Sequence, residues 1–302
     1  MIGENLDQYV GLPVVGFEAD TGEEPPAGPV AWKVATEFDE EPFGEVWKRF
    51  RAAVDTAGVT ALVIGYWGAS YDEHNDYPVP LLVESAASFP NLRSVFLGDM
   101  TYMESEISWI VHEDITPLLR AFPKLERLDV RGAGELVLEP VEHTGLRTLR
   151  FESGGLPAGV VRAVGASDLP NLEHLDLWLG TPNYGGDATV DDLAPILSGD
   201  RFPSLRHLGL EDAEMQDEIA EAVASAPVVA RLESLSLAMG RLTDRGAETL
   251  LSGQPLTHLR KLDLHHHFIS APIQERIRAA LPGVDIALDA APRDEPYIEV
   301  SE

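Results

Sequence analysis

The fold of this chain is decided by a short stretch, Leu232-Glu233-Ser234-Leu235-Ser236-Leu237, in which apolar residues follow the pattern L-x-x-L-x-L. The last two leucines alternate with polar residues, as they do in a strand that buries one face and leaves the other to solvent. The stretch therefore predicts a short β-strand whose leucine side chains enter a core.

The same pattern recurs along most of the chain, in register with proline-containing lead-ins such as Phe89-Pro90-Asn91. Proline at that place stops a helix and sets an extended entry to the strand. From the second copy to the eighth, the first residues lie 21 to 33 apart, with a mean of about 28, a period typical of stacked repeats. A shortened ninth copy contains Ile286 and Leu288. The first residues of the eight full copies are Val59, Leu92, Leu125, Leu146, Leu172, Leu205, Leu232 and Leu259.

The segments between the copies have helical patterns, and Thr243-Asp244 and Ser270 supply capping side chains at two predicted helix starts. A strand, a helix and a parallel strand form a right-handed crossover. No single unit buries its apolar face alone, so neighbouring units must stack into one core. Residues 132–138 are expected to return as an extended segment instead of a helix. Helices are predicted over residues 79–89, 115–122, 190–197, 216–225, 244–251 and 272–280.

The ends of such a stack need covers. Residues 1–58 predict an N-terminal cap with a degenerate first repeat: strands over 14–17 and 30–34, an acidic turn over 18–28, and an amphipathic helix over 42–57. The repeats occupy residues 59–288. Residues 289–302 form a C-terminal cap in which Tyr297, Ile298 and Val300 fold back. A single domain over residues 1–302 is expected.

One copy and its sequel, Leu235-x-Leu237 followed by Leu242-Thr243-Asp244-x-Gly246-x-x-x-Leu250, resemble the leucine-rich repeats of the ribonuclease-inhibitor-like class. The segment 105–125 is similar to uncharacterised bacterial members of that class. The resemblance covers residues 59–288. It implies an α/β leucine-rich-repeat solenoid with a curved parallel sheet on the concave face and helices on the convex face. It also implies a binding scaffold, and it supplies no catalytic residue.

The composition excludes several classes of protein. With 51 acidic and 22 basic residues, the formal net charge of −29 repels nucleic acid and anionic membranes and attracts a basic protein partner. No apolar run approaches the length of a membrane span. The chain has no cysteine, which fits a reducing compartment, and residues 1–10 show no secretory signal. We therefore expect a cytoplasmic protein.

The strongest candidate for chemistry is the tract His265-His266-His267, since histidine clusters bind metals. Consecutive residues of a strand point to alternating sides, which argues against convergence on one ion. No nucleophile elbow, P-loop, zinc-protease motif or dinucleotide fingerprint occurs. We expect no enzyme activity, no cofactor and no metal. The alternative is an enzyme or metal-dependent accessory protein that uses the acidic residues and His265–His267.

Two predicted surfaces are suited to a protein partner, on which the chain could act as an inhibitor. Polar residues of successive strands should line the concave face, and the loops that follow the strands form a rim rich in aromatic residues. The tryptophans at 67 and 109 have a second interpretation, as plugs in the core beneath long loops. Further rim aromatics are Tyr71, Tyr77, Trp109 and Tyr184. The expected partner-binding residues are Tyr66, Trp67, Tyr102, Arg131, Arg150, Asp176, Trp178, Glu211 and His265.

Overall fold

The computed structural model describes residues 2–17, 28–38, 41–68, 76–292 and 295–302. Within them, short strands alternate with helices, and within each of the two units described below the strands pair in parallel, except for the first two strands, which are antiparallel. The protein is therefore an α/β fold of a kind compatible with a repeat solenoid. It divides into two compact units, one ending at Leu138 and the other spanning Glu139–Ser301. A single domain over residues 1–302 stays a prediction.

The first unit begins with an antiparallel pair and continues as parallel strands that are hydrogen-bonded in chain order. Single turns of 3-10 helix occur at Thr56–Gly58, Ala86–Ser88 and Ile107–Trp109. Its strands and α-helices are β1 (Gln8–Tyr9), β2 (Leu12–Gly16), β3 (Ala31–Val34), α1 (Phe43–Ala53), β4 (Ala61–Ile64), α2 (Pro78–Glu84), β5 (Ser94–Leu97), α3 (Thr116–Ala121) and β6 (Arg127–Arg131).

The second unit repeats the strand–helix alternation more regularly, with 3-10 segments at Pro182–Tyr184 and Pro227–Arg231. Its elements are β7 (Thr148–Glu152), α4 (Ala158–Ala166), β8 (His174–Gly180), α5 (Val190–Leu197), β9 (His207–Ala213), α6 (Gln216–Val223), β10 (Ser234–Ser236), α7 (Asp244–Ser252), β11 (Lys261–Asp263), α8 (Ala271–Ala280) and β12 (Asp285–Ala287).

The register of the strands follows the repeated leucines. In the second unit, Leu175 pairs with Leu149 on one side and Leu208 on the other, and Leu208 pairs in turn with Leu235. These side chains are at most 1% exposed. In the first unit, Val95 pairs with the corresponding residues of β4 and β6. The predicted strand triplets are thus confirmed, and each supplies one rung of an apolar ladder.

The predicted helices are found close to their expected bounds, and residues 132–138 form bridges instead of a helix, as expected. Helix α4 and strand β1 were not predicted. The predicted N-terminal helix is α1, which buries Trp47 and Phe50 against Phe89. The expected acidic turn falls largely on residues 18–27, outside the described residues.

Candidate functional site

Polar residues on the solvent side of β7–β11 form three rows across the second unit. Because parallel strands pair in register, residues at the same place in successive repeats become neighbours. The first row reads Thr148, His174, His207, Ser234 and Lys261. The second reads Arg150, Asp176, Gly209, Ser236 and Asp263. The third includes the paired residues Trp178 and Glu211.

Arg150 lies at the centre of a charged cluster in these rows. One of its terminal nitrogens is 2.5 Å from Glu152 Oε1, and its Nε is 3.6 Å from Asp176 Oδ2. Its guanidinium carbon lies 5.2 Å from the centre of the Trp178 ring, within the range of a cation–π interaction. The side chain is about a quarter exposed, so Arg150 is available to a partner only in part.

Trp178 was expected to be an exposed anchor, and the structure corrects this expectation. The residue is only 5% exposed. Its indole Nε1 donates a 2.9 Å hydrogen bond to Glu211 Oε2, and the other carboxylate oxygen of Glu211 accepts from Ser236. Burial, and next the nearby charge of Asp176, raise the pKa of Glu211. The arginine and this carboxyl group enclose the indole within the protein.

A second cluster joins His174, Asp176 and His207. The Nε2 atoms of His174 and His207 lie 2.6 and 2.7 Å from separate oxygens of Asp176, and the two rings stack with centroids 4.0 Å apart. Burial opposes ionisation of Asp176, but the hydrogen bonds from both imidazoles outweigh it and lower its pKa. Both imidazoles remain partly open to solvent. Sequence analysis included Asp176 but not this convergence.

Gly209 makes room for the cluster. It pairs with Asp176 across β8 and β9. A Cβ atom at residue 209 would lie 2.1 Å from Asp176 Oδ1, far inside van der Waals contact. The missing side chain therefore lets the carboxylate reach across to His207.

The three histidines of the 265–267 tract bind different partners. His265 lies 2.7 Å from Asp263 and 3.3 Å from Glu299, and these two hydrogen-bonded carboxylates raise its pKa to about 10. His266 Nε2 lies 3.1 Å from the carbonyl oxygen of Tyr297, and His267 Nδ1 accepts a hydrogen bond from the amide of Ile269. These separate contacts give the tract no shared metal geometry.

The C-terminal segment lies along the ends of three strands of the second unit. The amide of Glu299 donates to the carbonyl of Met239, and the amide of Val300 donates to Asp212 Oδ1. Ile298 and Val300 are each 5% exposed, which confirms the predicted fold-back. Asp212, near the end of β9, and Met239, just after β10, occupy equivalent places in neighbouring repeats, and both have positive φ. Burial raises the pKa of Asp212 well above its usual range.

In the first unit, three expected binding residues are buried. Tyr66 and Trp67 are 2% and 1% exposed, so Trp67 follows the core-plug interpretation. Arg131 is buried beside Phe96, with one terminal nitrogen 3.5 Å from Asp99 Oδ1 and 3.1 Å from the carbonyl of Met100. These three residues stabilise the first unit and offer little surface to a partner.

The rim loop that follows β5, residues 101–110, has the opposite character. Trp109 is 63% exposed, which corrects its interpretation as a plug, and Tyr102 and Met103 are 43% and 78% exposed. Tyr77 and Tyr184 are half-buried, and Tyr71 lies outside the described residues. The rim loop thus presents three large apolar side chains to solvent.

The rim loop is anchored by two buried side chains and by hydrogen bonds. Ile107, the first residue of the 3-10 turn, and Ile110, just after the turn, are both buried, whereas Trp109 between them is exposed. Glu104 Oε2 accepts hydrogen bonds from the amide and hydroxyl of Thr101. The amide of Tyr102 donates to the carbonyl of Ile2. The exposed side chains therefore stand on an ordered support.

Comparison with known proteins finds a structural relative whose function is not named. A crystal structure of a protein from Bacteroides fragilis, determined by a structural genomics consortium, superposes with a TM-score of 0.78 and 29% identity. The match covers 91% of this chain and 78% of that one. No protein-family model and no curated protein matches the sequence. Among the described residues, no helix is long and apolar enough to cross a bilayer.

Proposed function

We propose that this chain is a non-enzymatic protein-binding scaffold of the ribonuclease-inhibitor-like leucine-rich-repeat class, acting in the cytoplasm on a basic protein partner. The leucine ladder, the parallel strands and the intervening helices support the repeat class. The binding role is supported by one observation above all: Tyr102, Met103 and Trp109 are exposed on the rim loop, which hydrogen bonds anchor to the protein.

The energetic argument rests on preorganisation. Exposed tryptophan and tyrosine are favoured as interface anchors because each buries a large area when a partner covers it. An ordered loop loses less conformational entropy on binding than a disordered one. Trp109 already stands clear of the core, so a partner gains its burial without first extracting it.

The chemistry of the partner follows from the charges around these anchors. Glu104 and Glu106 lie within the rim loop, and Glu113 and Asp114 follow it and are exposed. With the net charge of −29, they favour a partner with lysine or arginine around an apolar pocket and disfavour nucleic acid. The strand face of the second unit, through Arg150, Asp176 and Glu211, is a second proposed contact of the same scaffold.

Affinity capture with the tagged full-length chain tests the proposal. The bait is compared with Trp109→Ala and with Phe38→Ala, a control that removes another aromatic side chain, itself 57% exposed. We expect a basic protein to be retained by the wild type and the control and lost from Trp109→Ala. Measured with the recovered protein, Trp109→Ala should weaken binding about 30-fold or more, as hot-spot losses of about 2 kcal/mol imply.

The salt dependence of the binding kinetics provides an independent test with this chain and the recovered partner. Raising the ionic strength should mainly slow association, because screening acts on the encounter of charged surfaces. Trp109→Ala should mainly speed dissociation. Equal binding by Trp109→Ala and wild type, or a recovered partner that is acidic, would contradict the proposed surface.

A further inference from the structure

The strand face of the second unit brings together a set of side chains suited to a transition-metal ion. His174 and His207 pair in register on β8 and β9, and Asp176 lies two residues beyond His174 on the same side of β8. One ligand atom from each of the three lies within 4.8 Å of the others. We propose that His174, Asp176 and His207 form a binding site for a divalent transition-metal ion, with Zn²⁺ as its simplest occupant.

The three ligand atoms lie close enough together to share one ion. Donors about 2.0–2.1 Å from a tetrahedral zinc ion lie about 3.3 Å from one another. The two nitrogen–oxygen separations in the cluster are 2.6 and 2.7 Å. The two separations involve different oxygens of Asp176, and both are shorter than the spacing of about 3.3 Å, so the donors must move apart for an ion to enter between them.

A neighbouring hydroxyl orients one imidazole for this role. His207 Nδ1 lies 2.6 Å from Ser234 Oγ. When Nδ1–H donates to that oxygen, the lone pair of Nε2 is directed at the cluster. In that tautomer Nε2 is a donor atom for a metal ion, and it lies 2.7 Å from Asp176 Oδ1. Gly209 adds the space through which the carboxylate reaches this nitrogen.

Solvent access and the types of ligand also favour a transition-metal ion. The His174 and His207 side chains are 39% and 20% exposed, so remaining coordination positions face solvent. Arg150 is a positive charge beside the cluster, with its Nε 3.6 Å from Asp176 Oδ2, so a metal ion competes with it for that carboxylate; its ion pair with Glu152 partly neutralises it. Two imidazoles and one carboxylate suit zinc, cobalt or nickel better than calcium or magnesium, which prefer oxygen ligands.

Titration calorimetry of the chelator-treated full-length protein with ZnCl2 tests the site. We expect one ion per chain, with affinity reduced at least about 10-fold in His174→Gln and in His207→Gln. The control His258→Gln makes the same chemical change at an exposed residue of the second unit and should bind like wild type. Ser234→Ala should weaken binding about 10- to 100-fold, as losses of an orienting partner do.

Nuclear magnetic resonance of the wild type gives a result that does not depend on how the variants fold. Zinc should shift the imidazole nitrogen resonances of His174 and His207 together, at one equivalent. Absence of zinc binding by the wild type up to about 1 mM would overturn the proposal. Unchanged affinity in both glutamine variants, or shifts confined to His265–His267, would also overturn it.

Discussion

Asp217 provides the sharpest test of how neighbouring repeats are joined. This residue of α6 is 8% exposed, and its carboxylate reaches the start of α7 in the next repeat. Oδ1 accepts hydrogen bonds from the amides of Thr243 at 2.8 Å and Gly246 at 3.1 Å, and Oδ2 accepts from the Thr243 hydroxyl. Asp217 thus caps a helix from outside it, where the positive end of the helix dipole adds to the attraction.

Asp217→Ala should lower the free energy of unfolding by about 3 kcal/mol. A hydrogen bond to a charged group contributes about 1.5–3 kcal/mol. Four such bonds are lost together, the fourth from Arg245 Nε at 3.3 Å from Oδ2, but their sum overstates the effect because water can reach the vacated space. Asp217→Asn keeps one acceptor oxygen and should cost about half as much. Glu218→Ala is the matched control, because it removes an exposed ion pair with Arg245, which also pairs with Asp217, and leaves the helix-capping bonds of Asp217 in place; such a pair contributes about 0–1 kcal/mol.

Urea unfolding gives the magnitude, and amide hydrogen exchange gives the location. Exchange is needed because stacked repeats can unfold in parts, so a single transition does not identify the interface that fails. The amides of Thr243 and Gly246 should lose protection in Asp217→Ala and keep it in Glu218→Ala. If the two variants lose equal stability, or if both amides keep full protection without Asp217, the capping argument is wrong.

Two further predictions concern the core and the C-terminal segment. Leu208→Ala should lower the free energy of unfolding in urea by about 2–5 kcal/mol, because the side chain is fully buried. The control Glu233→Ala breaks partly exposed ion pairs with Arg206 and Arg260 and should lower it by less than about 1 kcal/mol. Equal losses of stability would refute the register. Since the pKa of His265 is raised from 6.5 to about 10, its contribution is fully present below pH 6.5 and is lost as the pH rises through 10. After allowance for solvent screening, the free energy of unfolding of the wild type should exceed that of His265→Gln by about 1 kcal/mol at pH 6.5. A difference in stability that persists in urea unfolding at pH 11 would contradict this.

The core was predictable because it depends on one local pattern. A leucine at every second residue of a short strand indicates a buried side chain in each repeat. The row of paired leucines from Leu149 to Leu235 therefore follows from the sequence. Helix α4 was missed because its sequence contains glycine and several valines, which are weak helix formers. Its packing is tertiary: Gly165 lies where a Cβ would touch Pro195 of α5, a contact that local sequence does not reveal.

The candidate sites were less predictable because exposure depends on residues in other repeats. The alternation in β8 correctly put Trp178 on the polar side of its strand, but Arg150 and Glu211, one repeat away on either side, enclose it. The His174–Asp176–His207 cluster did leave a signal in the sequence. His-x-Asp and His-x-Gly occupy the same place in consecutive repeats, so alignment by repeat brings the two imidazoles together.

The two surfaces differ in what a partner must displace. On the strand face, a new contact to Arg150 competes with its ion pair to Glu152, and a new contact to Trp178 competes with its bond to Glu211. Breaking a partly buried polar pair leaves desolvated groups that the partner must satisfy again. At the rim loop, covering Trp109 and Met103 removes apolar area from water, at about 25 cal/mol for each Å², without breaking such a pair. For the proposed binding function, each Å² covered at the rim loop should therefore yield more affinity than each Å² covered at the strand face, where a partner has first to replace existing bonds.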